Sequence, residues 1–505
     1  PRPLRLHMLS AAQHEAVTSE AARPLQILAG PGSGKTRVLT SRVAHLVRDS
    51  AAPIAPERCV VVTFTNRAAN EMRARLETMI GADRTRRLVL GTFHAVCVRF
   101  LRRWGTRLGL DPRFTIADTD DARRLLRDVD RDAPVDATLA AISRAKAHGW
   151  TPDELRASAQ HAPGSPAHTE HLALCRTYAA YQQQLRASHA LDFDDLLLLG
   201  VRLFREHPEL TTHIDHVLVD EFQDTNAVQY ELLCRLSPHV SVVGDPDQSI
   251  YSWRHADVRH IERMHLDFPG LHRVLLEENY RSTPQILEAA LRVMQQDPHR
   301  LPKGLYTALA SGPPVSVVAC HDADDEALFV AREIRQHART TPYAHMSVLL
   351  HLTAHSRAFE SIFHRLNIPY RLLGGVRFFD RAEVRDLLAY LTLADNPAYT
   401  PAVLRVLNVP KRGIGPQSAQ QLANAAQHAQ VPLLTHLAHA HALRPALLRA
   451  ARVGGIRGSG VRTRASALAR SGGLVRGGSS SACHDDPPRR GGAPVSIRYS
   501  TAPRA

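Results

Sequence analysis

The chain has 505 residues, is 44% hydrophobic and carries a formal charge of +14. That length allows roughly three or four domains, no apolar run reaches the ~20 residues of a membrane span, and no apolar signal region opens the sequence. Six scattered cysteines without a Cys-x-x-Cys pair argue against a disulfide framework or a zinc site, so a soluble cytoplasmic chain is expected.

The positive charge points to a polyanionic partner. Residues 451–505, however, hold ten Arg against two Asp, which places +8 of the +14 in that stretch. Lysine is scarce. Lys35, Lys146, Lys303 and Lys411 stand in a chain that otherwise uses arginine, so each asks for a reason.

In chain order, an apolar run at 25–28 leads into AGPGSGKT and an amphipathic helix through Val47. RCVVVTF (58–64) reads as a buried parallel strand, followed by a helix over 67–80 with Ala69, Met72 and Leu76 on one face. RLVLGT (87–92), the run ending at Asp220, and VSVVG (240–244) continue the alternation, which implies a parallel α/β sheet. Residues 105–190 read instead as a helical insertion with a turn at Pro163-Gly164-Ser165-Pro166. A second α/β segment begins near 281, with strands expected at VSVVAC (315–320) and MSVLLHL (346–352), and helices return from 380. After about 450 the Gly, Ser and Arg content predicts disorder.

The loop Ala29, Gly30, Pro31, Gly32, Ser33, Gly34, Lys35, Thr36, with Arg37 beyond it, sits between a strand and a helix, the context a P-loop requires. Its glycines let backbone N–H groups face phosphate oxygens, and the helix dipole adds to the attraction. Lys35 would reach the β- and γ-phosphates and Thr36 would ligate Mg²⁺. The first position is Ala29 where the strict pattern has Gly. The stretch HVLVDEFQDTN (216–226) ends a buried strand on adjacent carboxylates. Such a pair is costly to bury unless a cation or hydrogen bonds offset it. In P-loop NTPases that acid holds magnesium, which assigns Asp220 to the metal and Glu221 to the attacking water as general base.

DEFQD, GDPDQSIYSWR, TFTNRAANEMRARL, GTFH and LEENYRS, in this order-consistent set from about Leu9 to Gln417, resemble the motifs of UvrD/Rep/PcrA-type superfamily 1 DNA helicases. The resemblance implies ATP and Mg²⁺ as cofactors, and single-stranded DNA and single-strand/duplex junctions as partners. Accessory repair proteins are possible further partners. Gln13 would read the adenine edge, Tyr280 would stack on the base, and Arg281 and Gln248 would reach the γ-phosphate. For Gln248 a loop-capping amide is the competing assignment. Phe64, Asn66, Thr92, Phe93, His94, Tyr251, Trp253 and Arg254 match the family's single-strand contacts, where aromatic stacking accepts any base. For the aromatics, Phe93 above all, the competing assignment is core packing. LDFDDLL (191–197) is expected to be structural, Asp192 capping a helix and Phe193 packing. GGVRFFDRAEVRD (374–386) and NVPKRGIG (408–415) are also expected to be structural, although Lys411 and Arg412 could touch duplex DNA.

The implied layout is a first RecA-like domain at 1–104 and 191–280 with a helical insertion at 105–190. The N-terminal part of a second RecA-like domain follows at 281–379, the start of a second helical insertion at 380–450, and a disordered tail at 451–505. The implied activity is 3′→5′ helicase or translocase action on single-stranded DNA in repair or replication restart. Two departures qualify it. His255 stands where the family usually has Gly, so local geometry is in doubt there. The family's later motifs, including its arginine finger, are not found. A truncated or frame-shifted product would read this way, with weak ATPase and no processive unwinding expected. An ATP- and single-strand-binding remnant, or the helicase subunit of a helicase–nuclease, are the alternatives.

Overall fold

The computed structural model describes residues 8–158, 165–252, 255–298, 300, 303–373, 382–439 and 495–499. The strands in chain order are β1 (Leu25–Ala29), β2 (Cys59–Thr63), β3 (Val89–Thr92), β4 (Thr115–Ile116), β5 (Ala190–Leu191), β6 (His216–Val219), β7 (Val240–Gly244), β8 (His272–Leu276), β9 (Ser347–Leu350), β10 (Tyr370–Leu373) and β11 (Val495–Tyr499). The chain divides into two compact units.

The first unit comprises 1–315, 395–404 and 420–436. It is built on a six-stranded sheet in the order β3-β2-β6-β7-β1-β8, parallel throughout. β1, β2, β6 and β7 are buried along their whole length. Covered on both faces, such strands need apolar residues at every position, which is why they read as unbroken runs. One side packs the helix Lys35–Ala44 and the helix Asn66–Ile80 through Val38, Leu39, Met72 and Leu76. The other packs the helices Phe93–Trp104, Phe193–Glu206 and Ala227–Leu236 through Cys97, Phe100, Leu197, Phe204 and Leu232.

Arg42 and His216, both buried in this core, are joined through one hydroxyl. The guanidinium of Arg42 donates to Ser241 Oγ at 2.7 Å and to the carbonyls of Ala16 and Ser19 at 3.1 and 3.0 Å. It thereby ties the helix Ala11–Thr18, β7 and the helix following the glycine-rich loop into one body. His216 Nε2 shares the Ser241 hydroxyl at 2.8 Å.

Residues 105–190 carry the helices Thr119–Val129, Val135–Ala147, Pro152–Ala157 and Pro166–Ala187. Ser165 caps the last of these; the rest of the expected turn at 163–166 lies partly outside the described residues. Residues 395–404 and 420–436 group with this unit. Tyr399 donates to Asp121 at 2.7 Å, and Asn396 donates to Thr115 Oγ1 at 2.8 Å. Residues 281–315 also group with it, and Arg300 and Lys303 pair with its Asp245 and Asp247.

The second unit comprises 316–394, 405–419 and 437–505. A parallel three-stranded sheet, β10-β11-β9, is its frame. The helices Ala323–His337 and Ser356–Arg365 pack Ala327, Ala331, Phe359 and Phe363 against Leu350 and Ile368. Two expectations fail here. VSVVAC (315–320) forms no strand and Val317 is 96% exposed, because an apolar run becomes a strand only where a neighbour accepts its backbone hydrogen bonds. Conversely β11 falls inside the stretch expected to be disordered, where Val495–Tyr499 meets backbone partners on both sides. Residues 374–381, most of GGVRFFDRAEVRD, lie outside the described residues.

Candidate nucleotide site and nucleic-acid face

Because every strand of the six-stranded sheet runs the same way, the segments that follow β1, β2, β3, β6, β7 and β8 emerge at one edge. In open parallel sheets this carboxyl edge is where ligands bind.

After β1 the chain turns through Gly32 (φ 69) and Gly34 (φ 86), left-handed conformations that favour glycine. Space also excludes side chains here. A Cβ on Gly32 would lie 2.7 Å from Arg281 Cβ and from Asn279 Nδ2. Asn279 Nδ2 donates to the Pro31 carbonyl at 2.6 Å, and Tyr280 N donates to the Gly32 carbonyl at 3.0 Å. The ENYRS segment after β8 therefore braces the loop and brings Tyr280 and Arg281 beside it. Ser33 Oγ donates to the Gly30 carbonyl at 2.7 Å. Gln13 closes a capping box with Ser10 and donates through Nε2 to the Ser33 carbonyl at 2.9 Å, so its amide is fixed against the loop. Arg37 donates to the Met8 carbonyl at 3.1 Å. Lys35 and Thr36 open the helix Lys35–Ala44, where unpaired N–H groups and the dipole favour an anion.

The Lys35 ammonium is buried, 3.6 Å from Asp245 Oδ2, and has no hydrogen-bond acceptor among the described residues. Asp220, buried at the end of β6, has its carboxyl pushed up to about 7 by burial and then by Glu221, with Lys35 opposing. Asp224 is pushed up to about 7 by burial and by Glu221, again against Lys35. The Lys35 charge thus acts on Asp220 and Asp224 across one site. Glu221 sits at φ 51, uncommon for a non-glycine residue. Its N–H donates to Asp220 Oδ1 at 3.1 Å, and its Oε2 accepts from Gln223 Nε2 at 2.8 Å.

A second layer of contacts supports this pair. Gln223 Oε1 accepts from Asp245 N at 2.9 Å, and Gln248 Nε2 donates to Asp245 Oδ2 at 2.6 Å. Lys303 bonds Asp245 and lies 3.0 Å from Asp247, which also pairs with Arg300 at 3.0 Å. The motifs by themselves give Asp245, Gln223 and Lys303 no role; the scarcity of lysine is the one signal that singles out Lys303.

The residues present fit a polyphosphate and a divalent cation. An ammonium without an acceptor lies beside carboxyl groups that burial makes costly to ionise, under a loop that excludes side chains. No group of three or more His, Cys, Asp or Glu suited to a metal occurs among the described residues. Magnesium characteristically uses one or two carboxylates plus phosphate oxygens, which Thr36 and Asp220 would complete.

On the same edge, Phe64 after β2 and Tyr251 after β7 form a ring pair with centroids 4.8 Å apart. Asn66 opens the exposed start of the helix Asn66–Ile80. Thr92 caps the helix Phe93–Trp104, accepting from Ala95 N. Phe93 is a correction: it is 5% exposed and belongs to the hydrophobic core, so its ring is not available for stacking. Phe193 is the reverse. Expected to pack, it is 48% exposed, with His94 edge-on at 5.9 Å. It sits at the first turn of its helix, where Asp192 rather than the ring makes the structural contacts. Trp253 and Arg254 lie outside the described residues. His255 keeps the backbone that glycine favours, φ 64, with its ring 5.9 Å from that of His148.

A parallel sheet carrying a glycine-rich loop after one strand and an acid pair after another defines a P-loop nucleotide-binding protein. Residues 9–269 match the family model for the UvrD/REP helicase N-terminal domain, and residues 274–443 match the UvrD-like helicase C-terminal domain. The chain belongs to the UvrD/Rep helicase family. It is 38% identical over 450 residues to the ATP-dependent DNA helicase PcrA of Staphylococcus aureus, covering 86% of this chain and 60% of that one. The PcrA of Staphylococcus epidermidis is 38% identical over 445 residues, 85% of this chain and 60% of the relative. The chain thus spans about three fifths of the length of these relatives.

Proposed function

We propose that this chain binds ATP with Mg²⁺ at the Lys35–Asp220 site and hydrolyses it to drive 3′→5′ movement along single-stranded DNA. The observation that carries this reading is the buried Lys35 ammonium, without a hydrogen-bond acceptor, beside Asp220 and Asp224, whose carboxyl groups burial pushes up to about 7. Lys35 and the N–H groups of the Gly30–Gly34 turn would receive the phosphates, while Thr36 and Asp220 hold the cation. Magnesium, when bound, supplies positive charge against the phosphate oxygens. Gln13 would face the base edge, an amide being able to donate and accept at once, and Tyr280 would lie against its ring. Glu221, its carboxylate oriented by Gln223, takes the proton of the attacking water. Arg281 and Gln248 would meet the terminal phosphate.

Phe64, Tyr251 and His94 supply faces for unstacked bases, with Asn66 and Thr92 contributing polar contacts. Trp253 and Arg254 belong to the same reading. The hydrogen-bonded run Glu221–Gln223–Asp245–Gln248 leads from the hydrolytic carboxylate to the segment that carries Tyr251, and so offers a route for coupling. Single-strand/duplex junctions would be the substrates, and the layout of two RecA-like domains with helical insertions is the corresponding architecture.

The test is ATP turnover with and without single-stranded DNA, on wild type and Glu221→Gln. DNA should raise wild-type turnover. Glu221→Gln should still bind nucleotide but turn over about 10²–10⁴-fold more slowly. Equal turnover in the two proteins would refute the assignment of Glu221, and absence of nucleotide binding by wild type would refute the site.

A further inference from the structure

Asp245 is wholly buried and has two ammonium neighbours, Lys35 at 3.6 Å and Lys303 in direct contact. The two cations differ in their surroundings. Lys303 is 5% exposed and is held on its other side by Asp247 at 3.0 Å, which Arg300 also pairs at 3.0 Å. Lys35 has only the longer contact and no hydrogen-bond acceptor among the described residues. One of them is fixed; the other is poised to leave.

We propose that Lys303 is a positioning residue for the ATP reaction: it serves as the standing counter-ion of Asp245, so that Lys35 can leave that carboxylate for the substrate phosphates. This rests on the reading of Lys35 as a phosphate-binding group. Were Lys35 the sole cation on Asp245, drawing it to a triphosphate would strand a buried carboxylate without compensation, and that cost would weaken nucleotide binding. Lys303 removes the cost in advance. It also keeps Asp245 in place as acceptor for Gln248 Nε2 at 2.6 Å and as donor, through its N–H, to Gln223 Oε1 at 2.9 Å. Lys303 lies beyond the motifs assigned to the nucleotide and, with Arg300, pairs to Asp245 and Asp247.

The experiment measures binding of a fluorescent ATP analogue with Mg²⁺ to the full chain. Lys303→Met, which keeps the side-chain stem and removes the charge, should weaken binding about tenfold or more. The defect should appear in KM for ATP rather than in kcat at saturation. Lys303→Arg, which keeps the charge, should bind within about threefold of wild type. In an Asp245→Asn background, where the carboxylate left beside Lys303 is Asp247, itself paired by Arg300, Lys303→Met should change affinity by less than about twofold. An independent structural role for Lys303 predicts the same loss in both backgrounds, and that outcome overturns the proposal. So does wild-type affinity in Lys303→Met. If Lys303→Met does not fold, the comparison of Asp245→Asn with Asp245→Asn/Lys303→Met still decides, because no carboxylate is stranded at 245 in either. Failure of wild type to bind the analogue would instead overturn the nucleotide site itself.

Discussion

Lys146→Met strips the charge from the most buried lysine of the chain while leaving most of its stem in place. The Lys146 side chain is wholly buried, 2.6 Å from Asp192 and 2.8 Å from Asp195, under the rings of Tyr178 and Tyr181 at 5.7 and 5.4 Å. Burial works against the Asp192 carboxylate, but the Lys146 ammonium, with hydrogen bonds from the Asp195 N–H and the Tyr181 hydroxyl, holds Asp192 below the usual range. Burial, with the charge of Asp192, pushes Asp195 up to about 7 despite the same ammonium. One cation therefore supports two carboxylates at the start of the helix Phe193–Glu206. Removing one partner of a buried ion pair costs about 3–5 kcal/mol. In the variant both folded-state carboxyl pKa values lie above their unfolded values. The deficit is then fullest at pH 8 and narrows as pH falls toward the unfolded carboxyl range. Hydrogen exchange at the amides of Val135–Ala147 and Phe193–Glu206 reads this locally, which suits a chain of more than one unit. Opening free energies there should fall by about 3–5 kcal/mol at pH 8, and adding Asp195→Asn should recover at least ~1 kcal/mol. A loss under ~1 kcal/mol, or one independent of pH, would refute the view that Lys146 holds this helix start by charge.

Asp220→Asn should raise the melting temperature of the ligand-free protein at pH 8, because the folded-state carboxyl, at about 7, pays to ionise above that pH. The gain should vanish toward pH 4, where wild-type Asp220 is protonated in the folded state, and differential scanning fluorimetry across pH 4–8 checks it. Gly32→Ala should destabilise the loop and weaken ATP binding about tenfold or more, since a left-handed φ of 69 coincides with a 2.7 Å approach to Asn279 and Arg281; titration calorimetry reads it. Phe193→Ala should weaken single-stranded DNA binding by about 1–3 kcal/mol with little change in melting temperature, the ring being 48% exposed. Fluorescence anisotropy with a labelled oligonucleotide checks this, and unchanged affinity would return Phe193 to the surface.

The amino-acid sequence by itself determined the parallel sheet and the place of the loop at Lys35. Strands buried on both faces must be apolar at every position, and a left-handed turn must use glycine; both constraints are local and leave a local record. The order of motifs likewise points to Asp220, Glu221, Gln248 and Tyr280, whose residue types and spacing are local. Tertiary structure alone decided which cation serves which carboxylate. Asp245 and Lys303 are 58 positions apart, and no periodicity connects them. It also decided between Phe93 and Phe193, two aromatics at helix starts, one turned into the core and the other left at the edge beside His94. The same holds for 315–320 and 495–499: both are rich enough in β-formers to be strands, and only the second finds hydrogen-bonding neighbours on either side. Whether a backbone is paired is a property of its surroundings, which its own residues do not carry.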